Sequence, residues 1–453
     1  MIEIIISIVV VFLVAYLISK KVNAIISLGF GGLILLLAAA ILKHPILPED
    51  ATSGSVWLDV FKTIEMQFLK NLGNIGLTIM TLFGYSSYMT VIGANDVTVD
   101  VMTKPMKNIK SKAFLIPVVF LLGNLMSLVV PSASSLGILL MSTLYPILTR
   151  LEISPLTAGA VIATTATIMP TPLGADNVIA AETFGMSIVD YVKLHASISL
   201  PSLLVMAFVH LAWQLYLDKK EDMSDVIINK DKLKDQGKVS QPSWYAILPL
   251  LPLVIVVTMN LVESLKKYKF GLISIAFLCF IISIVIELIR YKDVQKVCND
   301  FQKFFDGMGN GVANVVSLLV AASMLVEGLK ALGIITMLTE SVKGLEGAGI
   351  IMILAFSMVT FLIGLISGGG LSVFYATVAL LPAIAAAAGI EPHQIALPMQ
   401  MIANLTRSIS PVAAVIVIIS SMMNISPARL IKRTSVPCIV GMIVSIILAL
   451  FVK

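Results

Sequence analysis

The chain has 453 residues, 58% of them hydrophobic and only 13% charged, with a formal net charge of +5. That balance leaves little room for any class but an integral membrane protein. Cys279, Cys298 and Cys438 form no CxxC, metal spacing or disulfide framework, and the positive surplus reads as topology-setting loop charge rather than a nucleic-acid footprint.

Apolar stretches long enough to span fall at 2–19, 24–42, 73–93, 155–184, 196–217, 244–262, 268–289, 310–332, 391–422 and 434–452. The first ends at Lys20-Lys21 and lacks a basic leader and a small-residue cleavage site, so it is expected to be retained. The stretch 55–71 carries Trp57, Val60, Phe61, Ile64 and Phe68 at helical spacing, and 292–306 carries Val294, Val297, Phe301, Phe304 and Phe305. Both are predicted to lie in the membrane interface.

Two further apolar blocks, 113–150 and 347–388, each consist of two helix-length pieces joined by a small-residue tip. The first tip is Pro131-Ser132-Ala133-Ser134-Ser135-Leu136-Gly137 and the second Ser367-Gly368-Gly369-Gly370-Leu371-Ser372. Irregular backbone of this kind is tolerated at membrane depth only when covered by protein or facing a cavity. Both blocks are predicted to be re-entrant hairpins. The stretches 155–184 and 391–422 are too long for one straight helix and carry central prolines, so they read as broken helices.

The two halves correspond. Thr167 matches Thr406, Thr171 matches Ser410, Pro172 matches Pro411 and Ser187 matches Ser426. Likewise Gly73-Asn74 matches Gly309-Asn310, and Ile153-Ser154-Pro155 matches Ile390-Glu391-Pro392. The expected architecture is an all-α polytopic membrane protein with about ten transmembrane helices in two five-helix repeats. Residues 1–217 form the first repeat, 218–243 a solvated cytoplasmic linker and 244–453 the second repeat. Five crossings per half is an odd number, so the second repeat is expected to be inverted. Twenty Lys and Arg lie on the side facing Lys20, Lys21, the 94–112 loop, Arg150, the linker, the 290–303 arm and the 429–433 loop, ten lie on the other, and Arg407 lies between. The richer side is expected to be cytoplasmic, with both termini outside in a bacterial inner membrane.

Arg407 is the most informative residue. It lies within the apolar run around Asn404-Leu405-Thr406-Arg407-Ser408-Ile409-Ser410-Pro411, where an unpaired guanidinium costs several kcal/mol and marks a functional site. Mirrored proline breaks point to a transporter's binding site. Half-helix N-termini suit an anion and unwound carbonyls suit Na⁺. The guanidinium fork suits a carboxylate.

The expected substrate-binding set is Arg407, Asn404, Thr406, Ser408, Ser132, Ser134, Ser135, Thr167, Thr171, Ser367, Gly369 and Gly370. Asp176, Asn177 and Ser410 form the ion-coupling set, with H⁺ or Na⁺ as the ion and Na⁺ expected at the hairpin tips and helix breaks. For each hydroxyl the bland alternative is a bond back to helix backbone; for Arg407 it is a bond to carbonyls at the break. Asp176 could take a proton, ligate Na⁺, pair with Arg407 or cap a half-helix. Asn124 is expected to pack, His210 to anchor at the interface near Trp213 and Tyr216, and Glu327 to pair with Lys330. Without HExxH, GxSxG or P-loop signatures, neither an enzyme nor an ATP-driven pump is expected, and no cofactor is.

Several stretches then resemble a known family. They are Tyr88-Met89-Thr90-Val91-Ile92-Gly93-Ala94-Asn95-Asp96 with Lys104-Pro105, Leu139-Leu140-Met141-Ser142-Thr143-Leu144-Tyr145-Pro146, and Tyr216-Leu217-Asp218-Lys219-Lys220-Glu221. Ile425-Ser426-Pro427 with Lys432-Arg433-Thr434-Ser435-Val436-Pro437 is the most specific. Over nearly its whole length the chain resembles the DcuC family of anaerobic four-carbon dicarboxylate carriers. The resemblance implies secondary transport of succinate, fumarate, malate or aspartate, often as efflux or exchange, in a homodimer of inverted-repeat subunits. Two places depart from the family pattern. The second tip, Ser367-Gly368-Gly369-Gly370-Leu371, lacks the hydroxyl and amide of the family's Thr-Gly-Ser-Gly-Asn. The first break, Pro170-Thr171-Pro172-Leu173-Gly174-Ala175-Asp176, is longer than the family's and has a second proline. Both fall where the ligand is expected, so another organic anion (a short-chain fatty acid, hydroxy acid or amino acid) and a passive anion channel stay as alternatives.

Overall fold

The computed structural model describes residues 2–20, 22–104, 112–130, 132–221, 241–268, 270–342 and 345–452. Pro131, Lys104's neighbour Pro105 and linker residues 222–240 lie outside that set. The described residues are all-helical, as the composition requires.

The first half runs α1 (Ile2–Ser19), α2 (Ala24–Ile41), α3 (Val56–Asn71), α4 (Leu77–Val91), α5 (Ala94–Thr103), α6 (Lys112–Met126), α7 (Ala133–Thr143), α8 (Tyr145–Arg150), α9 (Pro155–Ile162), α10 (Ala175–Thr183) and α11 (Ile188–Asp218). After a 3₁₀ segment, Ser243–Leu250, come α12 (Leu251–Leu261), α13 (Glu263–Lys266), α14 (Leu272–Tyr291), α15 (Val294–Gly311), α16 (Ser317–Ala331), α17 (Ile334–Val342), α18 (Ala348–Ser367), α19 (Gly370–Thr377), α20 (Leu381–Ala388), α21 (Pro392–Thr406), α22 (Ala414–Met422) and α23 (Pro427–Ala449).

Local chemistry sets many of these boundaries. Ser154 Oγ accepts from the Thr157 N–H at 3.1 Å and Pro155 opens α9; Ser187 Oγ caps α11 through the Asp190 N–H at 3.1 Å. Glu391 and Gln394 form a capping box on α21. Between α9 and α10 Pro170 and Pro172 remove backbone donors, and between α21 and α22 Pro411 does the same, so each chain unwinds there.

Eight helices among the described residues are long and apolar enough to cross a membrane, or nine if α4 and α5, bent by 73°, are one span. The difference from the expected ten has a simple origin. Four expected spans fall short on length, namely α1, α4 taken alone and the two broken helices in their separate halves, whereas α18 and the run Gly370–Ala388 both qualify.

The stretches expected to lie as interface helices run directly into spans. A π-turn at Leu72–Gly76 joins α3 to α4, and one at Val312–Val316 joins α15 to α16. The combined helix Val294–Ala331 has 38 residues, about 57 Å at 1.5 Å per residue, well beyond a ~30 Å hydrocarbon core. α3 buries its polar row Asp59, Thr63, Gln67 and Asn71 and exposes Trp57, Phe61 and Phe68. Its polar face therefore turns to protein, against α16 and α2. α15 lies along α4 through small residues. A Cβ on Gly307 would sit 2.5 Å from Ser87 Oγ and 2.6 Å from the Phe83 carbonyl oxygen, so only glycine permits this approach.

Packing between the halves is reciprocal. α2 packs on α16 and α14 on α4; α7 packs on α22 and α19 on α10; α11 and α23, the last helix of each half, pack on each other.

The 429–433 segment, expected as a loop, belongs to α23, and Arg433 is fully buried. Its Nη2 bonds Glu221 Oε2 at 2.8 Å, while Nη1 bonds Asp218 Oδ1 at 2.5 Å, Thr157 Oγ1 at 3.0 Å and Gln214 Oε1 at 3.2 Å. The first residues of the expected solvated linker are therefore ion-paired: Asp218 ends α11 and Glu221 follows it. Burial alone would raise the Glu221 carboxyl, but hydrogen bonds from Lys432 and Arg433 outweigh it and hold it below the usual range. Glu327 and Lys330 pair at 2.9 Å as expected.

Candidate functional site

The two breaks cross. Ser408 Oγ, in the second, donates to the Ala163 carbonyl of the first at 2.8 Å, and Arg407 Nη2 donates to the Ala166 carbonyl at 3.1 Å. Unwinding a helix orphans its carbonyls, and side chains answer each of these. Asn124 Nδ2 from α6 takes the Thr164 carbonyl at 3.0 Å, while its Oδ1 accepts from the Thr167 amide at 3.2 Å and hydroxyl at 2.8 Å. Asn177 Nδ2 takes the Thr171 carbonyl at 2.8 Å, and Thr434 Oγ1 takes that of Ser408 at 2.6 Å. These bonds tie parts of the irregular backbone to neighbouring elements. Asn124 cross-links α6 to the first break.

Arg407 follows the last turn of α21. Its Nη2 also donates to Asn404 Oδ1 at 2.5 Å, and its Nε approaches the Asn404 carbonyl at 3.4 Å. Asn404 Nδ2 donates to Asp176 Oδ2 at 3.1 Å. The asparagine thus stands between the cation and the carboxylate. Asn177 Oδ1 accepts from Gln400 Nε2 at 3.0 Å, and Tyr191 OH bonds Gln400 Oε1. Arg407 Nη1 has no hydrogen-bond partner among the described residues. The fork is half anchored, and Nη1 is its free end.

That end borders a cavity of about 590 Å³. Asp176, Asn404, Arg407, Thr167 and His195 lie at its buried end; Thr90, Ser132, Ser135, Asn310 and Asn314 are exposed at its mouth. Thr171 and Asn177 also line it. Of the expected set, Thr406, Ser408, Ser410, Ser134, Ser367, Gly369 and Gly370 do not. Several of these serve structure instead. Thr406 Oγ1 bonds the Ala403 carbonyl at 3.0 Å, Ser410 Oγ the Leu365 carbonyl at 2.7 Å, and Ser367 Oγ the Ile363 carbonyl at 2.7 Å. At Gly370 a Cβ would lie 2.7 Å from Ala403 Cα, so the second tip is glycine-rich because it presses on α21. Only Leu371 and Tyr375 reach the cavity from that hairpin's return arm. Among the described residues no group of three or more His, Cys, Asp or Glu could hold a metal ion.

Sequence reasoning missed much of the wall: Ser86, Ser87 and Thr90 on α4, Asn314 in the π-turn and Asn310 just before it, and His195 on α11. The matched Gly-Asn pairs at 73–74 and 309–310 were the available signal, since π-turns often mark functional sites. His210 was misplaced. It is fully buried, with Nε2 3.1 Å from Thr164 Oγ1 and Nδ1 3.3 Å from Gln214 Nε2, and so supports the first break rather than the interface.

The fold is shared with known transporters. Neisseria gonorrhoeae MtrF, described among antimetabolite efflux pumps, superposes with a TM-score of 0.64 at 14% identity over 96% of each chain. The Alcanivorax borkumensis YdaH transporter gives 0.62 at 15% identity over 93% of this chain and 96% of that one. Sequence relatives are nearer. The anaerobic C4-dicarboxylate transporter DcuC of Escherichia coli K12 is 36% identical over 98% of this chain and 96% of its own. A probable DcuC of Vibrio cholerae is also 36% identical, over 99% and 97%. The family model for the C4-dicarboxylate anaerobic carrier matches residues 2–453. The chain belongs to the DcuC family of anaerobic C4-dicarboxylate carriers.

Proposed function

We propose that this protein is a secondary carrier of C4-dicarboxylates and that Arg407 Nη1 binds a substrate carboxylate in the cavity at the crossed breaks. The observation that carries the reading is the half-anchored guanidinium. Nη2 is held by Ala166 and Asn404, which fixes the plane, while Nη1 is left for a ligand. Anchoring lowers the cost of ordering the side chain on binding. Asn404, Thr167, Thr171, Ser132 and Ser135 border the same cavity and supply neutral donors. Asp176 and Asn177, the proposed ion-coupling residues, stand on the same wall.

Family membership favours dicarboxylates over the other organic anions and over a pore. The reciprocal packing of the halves supports an inverted repeat, with re-entrant hairpins at 113–150 and 347–388. The cavity's mouth includes Thr90 near the end of α4, on the side read as cytoplasmic. The conformation is accordingly inward-facing, in a bacterial inner membrane with both termini outside. Efflux or exchange, and assembly as a homodimer, rest on the family likeness alone. Thermal shifts of the purified protein against a carboxylate panel, with and without Na⁺, test the reading. Succinate and fumarate should stabilise it more than monocarboxylates do, whereas stabilisation by short-chain fatty acids alone would overturn it.

A further inference from the structure

We propose that His195 carries the coupled proton: its Nε2 takes up H⁺ from the solution on one side as the anion binds and returns it on the other side as the anion leaves. This rests on the reading that the Arg407 cavity binds a dicarboxylate.

His195 is 2% exposed yet lines the cavity. Its Nδ1 lies 3.1 Å from Ser199 Oγ, and its Nε2 has no hydrogen-bond partner among the described residues. The other three histidines are differently placed. His210 is engaged on both nitrogens, His44 pairs with Glu3 at 3.6 Å, and His393 does not border the cavity.

The internal correspondence sharpens the point. His195 is the eighth residue of α11 and Thr434 the eighth of α23, each counted from a helix that follows its matched serine, Ser187 or Ser426. Thr434 spends its hydroxyl on the Ser408 carbonyl and seals the second break. His195 makes no such bond to the first break. There, Met169, the residue corresponding to Ser408, lines the cavity with it. One half thus seals the equivalent position with a neutral hydroxyl, and the other leaves an ionisable nitrogen open to the cavity.

Charge balance gives the nitrogen its task. The cavity holds one fixed cation, Arg407, and one carboxylate, Asp176. A dianion would leave it two charges negative, which burial disfavours. A proton on His195 removes one of these, and imidazole is the side chain whose charge changes near neutral pH. The groups around it are few. Asp176 from α10, Arg407 after α21 and Tyr375 from α19 share its cavity, and α10 also carries Glu182. Tyr191 lies one turn earlier on its own helix, bonded to Gln400. α9 has no ionisable residue, α6 has only Lys112 at its start, His393 lies two turns before Gln400 on α21, and Lys432 and Arg433 on α23 meet the other end of α11.

The test uses proteoliposomes that enclose a pH-sensitive dye, with labelled fumarate, a dianion across the range assayed, supplied outside. With one proton per fumarate, a one-unit acid-outside gradient should drive wild-type accumulation up to about tenfold, with acidification inside that depends on fumarate. His195→Gln, which keeps an amide donor but no titratable nitrogen, should lose both the accumulation and the dye signal while exchange persists at a reduced rate. Should His195→Gln fail to fold, the wild-type KM decides. Under the proposal it tightens as pH falls; a flat profile refutes it. His195→Gln accumulating fumarate like wild type, or wild type importing fumarate without protons, would also overturn it. No uptake by wild type under any gradient would instead refute the carrier reading, and the proposal with it.

Discussion

Replacing Arg407 by alanine separates recognition from folding. In the proposed complex the two Nη1–H donors face the substrate, at about 1.5–3 kcal/mol for each hydrogen bond to a charged group. Losing both removes about 3–6 kcal/mol, a rise in Kd of about 10²- to 10⁴-fold. The fold bears a separate cost, because the Ala166 carbonyl, Asn404 Oδ1 and the Asn404 carbonyl each lose a donor, roughly 1–3 kcal/mol for each group left buried and unsatisfied. Arg407→Lys keeps the charge but lacks a planar fork that can hold Ala166 and Asn404 while reaching outward. It should lose one donor's worth, about 10- to 150-fold. The assay is isothermal titration of succinate or fumarate into detergent-purified protein, with size-exclusion profiles to show that the variants are folded. A folded Arg407→Ala protein with wild-type affinity would refute the assignment.

Arg433→Ala should behave in the opposite way. It removes the buried guanidinium that Asp218 and Glu221 share, leaving Glu221 to Lys432 and Asp218 to the Ser154 and Thr157 hydroxyls; breaking a buried pair costs about 3–5 kcal/mol, seen as a large fall in detergent Tm or as failed expression. The same cluster sets an acid limit. Glu221 is held below its ordinary value of 4.5 in the fold, so its contribution is full above that value and is lost as pH falls below it. Thermal melts should weaken there less in Glu221→Gln than in wild type. Gly307→Val should cost about 1–3 kcal/mol by overpacking α15 against α4, read as a lower Tm. Hairpin topology is testable in a Cys298→Ser background, since Cys279 and Cys438 are buried. Cysteines at Lys104 and Arg150 should label from one face and those at Glu346 and Glu391 from the other; a pair split between faces would turn that hairpin into two spans.

What was legible in the sequence was whatever local chemistry dictates. Proline breaks, serine caps and a guanidinium in an apolar run all signal within a few residues, and 155–184 and 391–422 unwind where Pro170, Pro172 and Pro411 stand. The fate of each hydroxyl was not legible, because bonding backbone or facing a cavity depends on which neighbour arrives. Thr406 and Ser410 went to carbonyls, whereas Ser132 and Ser135 reached the cavity. Arg433 escaped notice because its partners, Asp218 and Glu221, are more than two hundred residues away and become neighbours only when α11 meets α23. His195 escaped because it precedes the apolar stretch 196–217 and because the cavity it borders is assembled from distant helices.

Counterflow is the most direct test of a C4-dicarboxylate carrier working by alternating access. Proteoliposomes loaded with unlabelled succinate should take up trace external labelled succinate to a transient level above equilibrium, and unloaded vesicles should not. Equal, non-overshooting entry into loaded and empty vesicles would mean a pore, and overshoot driven by an internal monocarboxylate but not by succinate would mean a different substrate.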